Sequence, residues 1–182
     1  MYLLSNINQL IALGSLGMLA GTVFLAVDYF LYNGRYCADR LKEYLWPLIV
    51  FSTVGSVVMS LVYSEYFGFI PCSLCWLQRI AIYPQALLSV TALKLGDGNF
   101  FPKYGIALSI FGFIVAVYQY IEQMLPHSAG GILPCLADGS ADCAEKVFEF
   151  YGFITFPFVS AVTFLFLIML YLYVLRDERA TA

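Results

Sequence analysis

Residues 71–93 read PCSLCWLQRIAIYPQALLSVTAL. From Leu74 to Leu93 the run is long and apolar enough for a helix to cross a hydrocarbon core about 30 Å thick, which takes roughly 20 residues. It opens on Cys72 and Cys75 and places Arg79 one helical turn inside the span. Four more segments of this kind surround it. Ile7 to Tyr32 and Tyr44 to Tyr63 precede it, and Tyr104 to Met124 and Phe153 to Leu175 follow it. The expected fold class is an all-α membrane protein with five spans and no soluble domain.

Composition agrees with that reading. Of 182 residues, 62% are hydrophobic, 18% aromatic and 12% charged, against about a quarter charged in an ordinary soluble domain. A chain of this size keeps much of its surface outside any core, so the lipid bilayer has to cover the excess. The net charge of −3 carries no basic cluster, and nucleic acid is not an expected partner. The first segment has no basic residue before it and no small-residue cleavage site after it, so it is expected to be retained as a span. Gly14, Gly17 and Gly21 lie on one face of it, which favours close approach of another helix.

Basic residues prefer the cytoplasmic side of a membrane. Arg35, Arg40, Lys42, Lys94, Lys103, Arg176 and Arg179 fall on one side of the alternating spans, and Lys146 on the other. The N-terminus is then expected outside and the C-terminus in the cytoplasm. Five cysteines divide by the same parity. Cys37 faces the cytoplasm, where thiols stay reduced, while Cys72, Cys75, Cys135 and Cys143 share the outer face, where disulfides persist.

Taken alone, Cys135 and Cys143 read equally well as a structural disulfide. The CxxC changes the balance. At a helix start, a sulfur meets the partial positive charge of free N–H groups, which favours the reactive thiolate. Arg79 lies four residues beyond Cys75 on the same helical face. An arginine inside a span is costly and marks a functional site by default; it is placed to stabilise the Cys75 thiolate and to donate hydrogen bonds to a polar head at the membrane surface. Snorkelling toward headgroups is the structural alternative. Zinc fits poorly, because seven residues separate Cys135 from Cys143 and the lone His127 lies in a loop.

Two dithiol pairs on one face, one on a loop and one at the lipid boundary, describe a thiol–disulfide relay. With no haem, dinucleotide or iron–sulfur motif in the chain, a membrane quinone is the electron acceptor left.

PCSLCWLQR, residues 71–79, resembles the signature of the bacterial DsbB family of quinone-reducing disulfide generators, and YGFITFPFV, residues 151–159, is similar to the start of that family's last helix. The resemblance covers about residues 45 to 176. It implies a four-helix transmembrane bundle around a quinone, ubiquinone or menaquinone, with Cys72 and Cys75 beside the ring and Arg79 contacting it. Cys135 matches the loop cysteine attacked by a DsbA-like thioredoxin-fold partner. Cys143 matches the one that passes the exchange to Cys72, leaving Cys75 to reduce the quinone. Glu122 and Gln123 stand where some members carry a Glu and His pair near the quinone. The implied setting is the bacterial cytoplasmic membrane and its quinone pool.

Residues 1–40, without a counterpart in four-helix members, are expected to form an extra transmembrane helix and a basic cytoplasmic connection. Residues 41–182 then form the bundle, with a redox loop over 125–152. Three other readings compete. A vitamin K epoxide reductase-like enzyme is disfavoured because the loop cysteines follow the CxxC. A thiol conduit drawing electrons from the cytoplasm needs an inner cysteine pair, and only Cys37 lies there. A non-enzymatic assembly protein predicts cysteines that serve stability alone.

Overall fold

The computed structural model describes residues 2–34, 41–97, 99–124, 146 and 148–181. Five long helices account for nearly all of them: α1 (Tyr2–Leu31), α2 (Leu45–Leu61), α3 (Ser73–Leu95), α4 (Phe101–Met124) and α5 (Phe156–Thr181). A π-helical turn, Val62–Tyr66, widens the end of α2. The connections follow local chemistry. Gly96, at φ 69°, takes the left-handed conformation that ends α3. Asp97 then accepts a hydrogen bond from the Phe100 backbone N–H at 2.9 Å, starting α4. Before α5, Tyr151 and Gly152 both have positive φ and fold the chain back so that Phe150 pairs with Ile154. That turn delays α5 to Phe156, three residues beyond the expected start.

Helices α2 to α5 form a four-helix bundle. The α4–α5 seam is the most extensive, α3 packs between α2 and α4, and α2 closes against α5. Ile49, Ala81, Leu167, Leu170 and Tyr171 fill its centre with no exposed surface. Helix α1 lies outside this bundle against α5.

Four helices are long and apolar enough to cross a membrane, over Leu4–Leu31, Leu45–Tyr66, Phe101–Met124 and Phe156–Asp177. The sequence reading counted five, and α3 is the difference. Its 23 residues reach about 34 Å at 1.5 Å per residue, enough to cross, but its apolar character is diluted by polar residues turned into the bundle. Gln85 accepts from Tyr171 Oη at 2.9 Å and from Ser109 Oγ at 3.1 Å, and donates to the Ala81 carbonyl at 2.9 Å. Ser89 Oγ meets Thr53 Oγ1 at 3.0 Å. Lipid offers no hydrogen bonds, so such groups are tolerated only where protein satisfies them. The opposite face shows Trp76, Ile80 and Leu87 to the outside.

The docking of α1 differs from expectation. A Cβ on Gly21 would meet the Phe166 ring at 3.6 Å, but among the described residues Gly14 and Gly17 have nothing within 4 Å, so of the three only Gly21 packs against a described helix. A buried polar contact holds the helix instead: Tyr173 Oη donates to Asp28 Oδ2 at 2.8 Å and to the Leu25 carbonyl at 3.1 Å. Tyr63, on the π turn, donates to the Asn8 side chain.

The α4–α5 seam depends on a glycine. A Cβ on Gly105 would come within 2.7 Å of the Tyr171 ring, whose hydroxyl is committed to Gln85. Gly105→Ala is therefore expected to lower the melting temperature in detergent, since overpacking a filled site costs typically about 1–3 kcal/mol. Gly55→Ala, where a Cβ meets nothing within 4 Å, should raise it through helix propensity. Equal melting of the two variants would mean that this close approach does not limit stability.

Candidate functional site: a dithiol at the helix α3 N-terminus

Cys72, after Pro71, is the N-cap of α3 and is extended, with φ −70° and ψ 172°. Its sulfur accepts from the Cys75 backbone N–H at 3.4 Å, in the place of the oxygen of an ordinary N-cap side chain. Cys75 follows in the first turn, and the three-residue spacing puts both side chains on one helical face. The sulfurs lie 2.9 Å apart and both thiols are free. Cys72 is buried and Cys75 half-buried, with Leu74, Val115, Leu77 and Tyr118 packed around them. The hydrogen bond shared with Cys75, and burial, both push the Cys72 thiol above its ordinary range.

Helix α4 supplies a side chain that the sequence reading missed. Gln119 Nε2 donates to Cys72 Sγ at 3.2 Å and to Cys75 Sγ at 3.4 Å. Its Oε1 accepts from Gln78 Nε2, on α3, at 2.7 Å. Both amides are buried, at 8% and 3% exposure for Gln78 and Gln119. The available signal was an amide inside an apolar span, which is costly there unless partnered. What it pairs with depends on how α3 and α4 are rotated against each other.

Arg79 is half-buried and reaches across to α2. Its Nε donates to Ser60 Oγ at 2.9 Å and its Nη2 to the Ser60 carbonyl at 3.0 Å. The guanidinium also lies 5.2 Å from the Trp76 ring centre and 6.0 Å from that of Tyr83, within cation–π range. Both hydrogen bonds run to α2, close to its π turn.

Glu122 is half-buried on α4 and accepts from Tyr118 Oη at 2.6 Å. Gln123 is buried on the same helix, one turn beyond Gln119. Cys135, Cys143, His127 and Cys37 lie outside the described residues. The chain that carries Cys135 and Cys143 nevertheless leaves and re-enters the bundle at the dithiol end. Helix α4 runs past Cys72 at Gln119 and ends at Met124, and α5 begins beside it, with Tyr120 and Phe158 ring centres 5.9 Å apart.

Residues 42–174 match the family model for Disulfide bond formation protein DsbB. The chain is 34% identical over 135 residues to Disulfide bond formation protein C of Bacillus subtilis (strain 168), covering 74% of this chain and 91% of that one. It is 39% identical over 141 residues to a Probable disulfide formation protein of Coxiella burnetii (strain Dugway 5J108-111), covering 71% and 88%. A Probable disulfide formation protein of Oceanobacillus iheyensis is 33% identical over 144 residues, covering 78% and 92%. No solved structure matches the chain. All of α1 and the connection after it, up to residue 41, lie outside the family match.

Proposed function

Because the chain belongs to the DsbB family of disulfide bond formation proteins, we propose that this multi-pass membrane protein is a thiol:quinone oxidoreductase that reoxidises a DsbA-like, thioredoxin-fold dithiol. The observation that carries the reading is the juxtaposition at one end of the bundle. A dithiol at the N-terminus of α3, with the Gln119 amide of α4 on its sulfurs and the Arg79 guanidinium one turn further along α3, lies at the end of the bundle where α4 ends, ahead of the segment bearing the second cysteine pair.

The chemistry balances as two thiol–disulfide exchanges and one transfer to the membrane. The partner's two thiols lose two electrons and two protons as their S–S bond forms, and the Cys135–Cys143 disulfide is reduced to two thiols. That pair regains its bond when the Cys72–Cys75 disulfide is opened, Cys143 being the thiol that attacks Cys72. The two electrons and two protons then held at Cys72 and Cys75 leave to a quinone of the lipid phase, the second substrate, which is released as hydroquinone.

The donor set fits such a substrate. A quinone is an apolar ring with two carbonyl acceptors. Half-buried Cys75 stands beside Trp76, which is 51% exposed, and one turn before Arg79, whose guanidinium is a donor suited to a carbonyl. Gln123 and Glu122 line the next turn of α4. In this reading the dithiol end faces outward from the bacterial cytoplasmic membrane and the C-terminus lies inside, an orientation supported by the bias of basic residues between spans.

Purified protein with a soluble quinone analogue is expected to oxidise a reduced thioredoxin-fold dithiol over many turnovers, with hydroquinone formed in equal amount. Failure of the partner to be oxidised, or oxidation without hydroquinone, overturns the reading.

A further inference from the structure

We propose that Gln119, oriented by Gln78, is a positioning residue that holds an amide N–H on both sulfurs of the CxxC and so stabilises its reduced, deprotonated form; the consequence for turnover rests on the function proposed above. A primary amide presents a donor on one side and an acceptor on the other. Gln119 Oε1 is taken by Gln78 Nε2 at 2.7 Å, so its nitrogen is turned to Cys72 and Cys75 at 3.2 and 3.4 Å. Half a turn of that amide would set nitrogen against nitrogen. Both side chains are buried, so bulk water is not at hand to relieve the mismatch. Gln78 therefore ties the orientation of Gln119 to its own, a charged sulfur selects the joint orientation that turns N–H toward it, and Gln119 delivers the donor.

The donor acts selectively on redox state. A thiolate is a strong acceptor and a disulfide sulfur a weak one, and hydrogen bonds to charged partners are about twice as strong as neutral ones. An N–H shared by the two sulfurs favours the reduced thiol–thiolate pair over the disulfide, and stabilising the reduced form makes a disulfide more oxidising. The pair is thereby tuned to accept electrons from the loop cysteines. Because the amide bridges both sulfurs, it keeps its place whichever of them carries the charge.

Other titratable groups nearby are already engaged or fixed in charge. Arg79 on α3 is bound to Ser60, and Tyr118 and Glu122 on α4 bond each other. On the π turn after α2, Tyr63 bonds Asn8 and Glu65 bonds Ser64.

The test uses full-length protein in detergent and reads the dithiol alone, without quinone or partner. Thiolate absorbance against pH and equilibrium with glutathione are measured for wild type, Gln119→Met and the double variant Gln78→Leu/Gln119→Leu, with the other cysteines replaced by serine. Both variants are expected to shift the first deprotonation upward by about one pH unit, a tenfold loss of thiolate. The glutathione equilibrium should move about tenfold toward the disulfide, about 30 mV for two electrons. The double variant removes donor and acceptor together, which leaves no orphaned amide to unfold the bundle. A folded variant of either kind that titrates and equilibrates like wild type overturns the proposal. Since neither measurement involves a quinone or a thioredoxin-fold protein, the result stands apart from whether the wild type turns over with them.

Discussion

Oxidised protein freed of quinone and mixed anaerobically with a reduced thioredoxin-fold dithiol is expected to form at most two partner disulfides per chain and then stop. Four cysteines of the outer set store two disulfides, and exchange between pairs needs no external acceptor. Adding quinone should restart turnover. With Cys72 or Cys75 replaced by alanine, the ceiling should fall to one equivalent and quinone should restart nothing. This is the largest effect expected of any substitution, since it removes the pair from which electrons leave to the quinone. Continued oxidation without quinone, or a quinone response that survives loss of the CxxC, would reverse the order of electron flow.

Arg79→Ala is expected to leave partner exchange intact while apparent affinity for quinone falls about ten- to a hundred-fold. That range corresponds to one charge-assisted hydrogen bond, roughly 1.5 to 3 kcal/mol. The structure adds a second element to the expectation. Arg79 is held by Ser60 Oγ and the Ser60 carbonyl, so the guanidinium is pre-positioned by α2 and loses little freedom on binding. Arg79→Lys keeps the charge but not the planar fork, and should recover only part of the affinity. Ser60→Ala should weaken quinone binding less than Arg79→Ala, because the backbone carbonyl remains. An unchanged quinone dependence in Arg79→Ala would reduce the residue to a clamp between α2 and α3.

Much of the fold was legible because membrane helices announce themselves by length and local apolarity, a property of consecutive residues. The five segments, their order and the CxxC at the mouth of one of them required nothing beyond that. The lower apolarity of α3 has a local cause, since Gln78, Gln85 and Ser89 are polar in sequence and become tolerable only where protein surrounds them.

Pairings between helices were decided by tertiary structure. Gln119 reaches sulfurs 44 and 47 residues away, Arg79 binds Ser60 on α2, and Tyr173 secures Asp28 across 145 residues. Each follows from how two cylinders are rotated about their own axes, and a rotation of one residue, about 100° on a helix of 3.6 residues per turn, replaces every partner. Hydropathy is nearly blind to that angle where a helix is apolar on all sides, as α1 is, which is why its glycines misdirected the expected contact and a buried aspartate supplied the real one. The sequence alone determined which segments enter the membrane and which cysteines open a helix; side-chain packing and buried hydrogen bonds set which faces meet, because only they distinguish one rotation from the next.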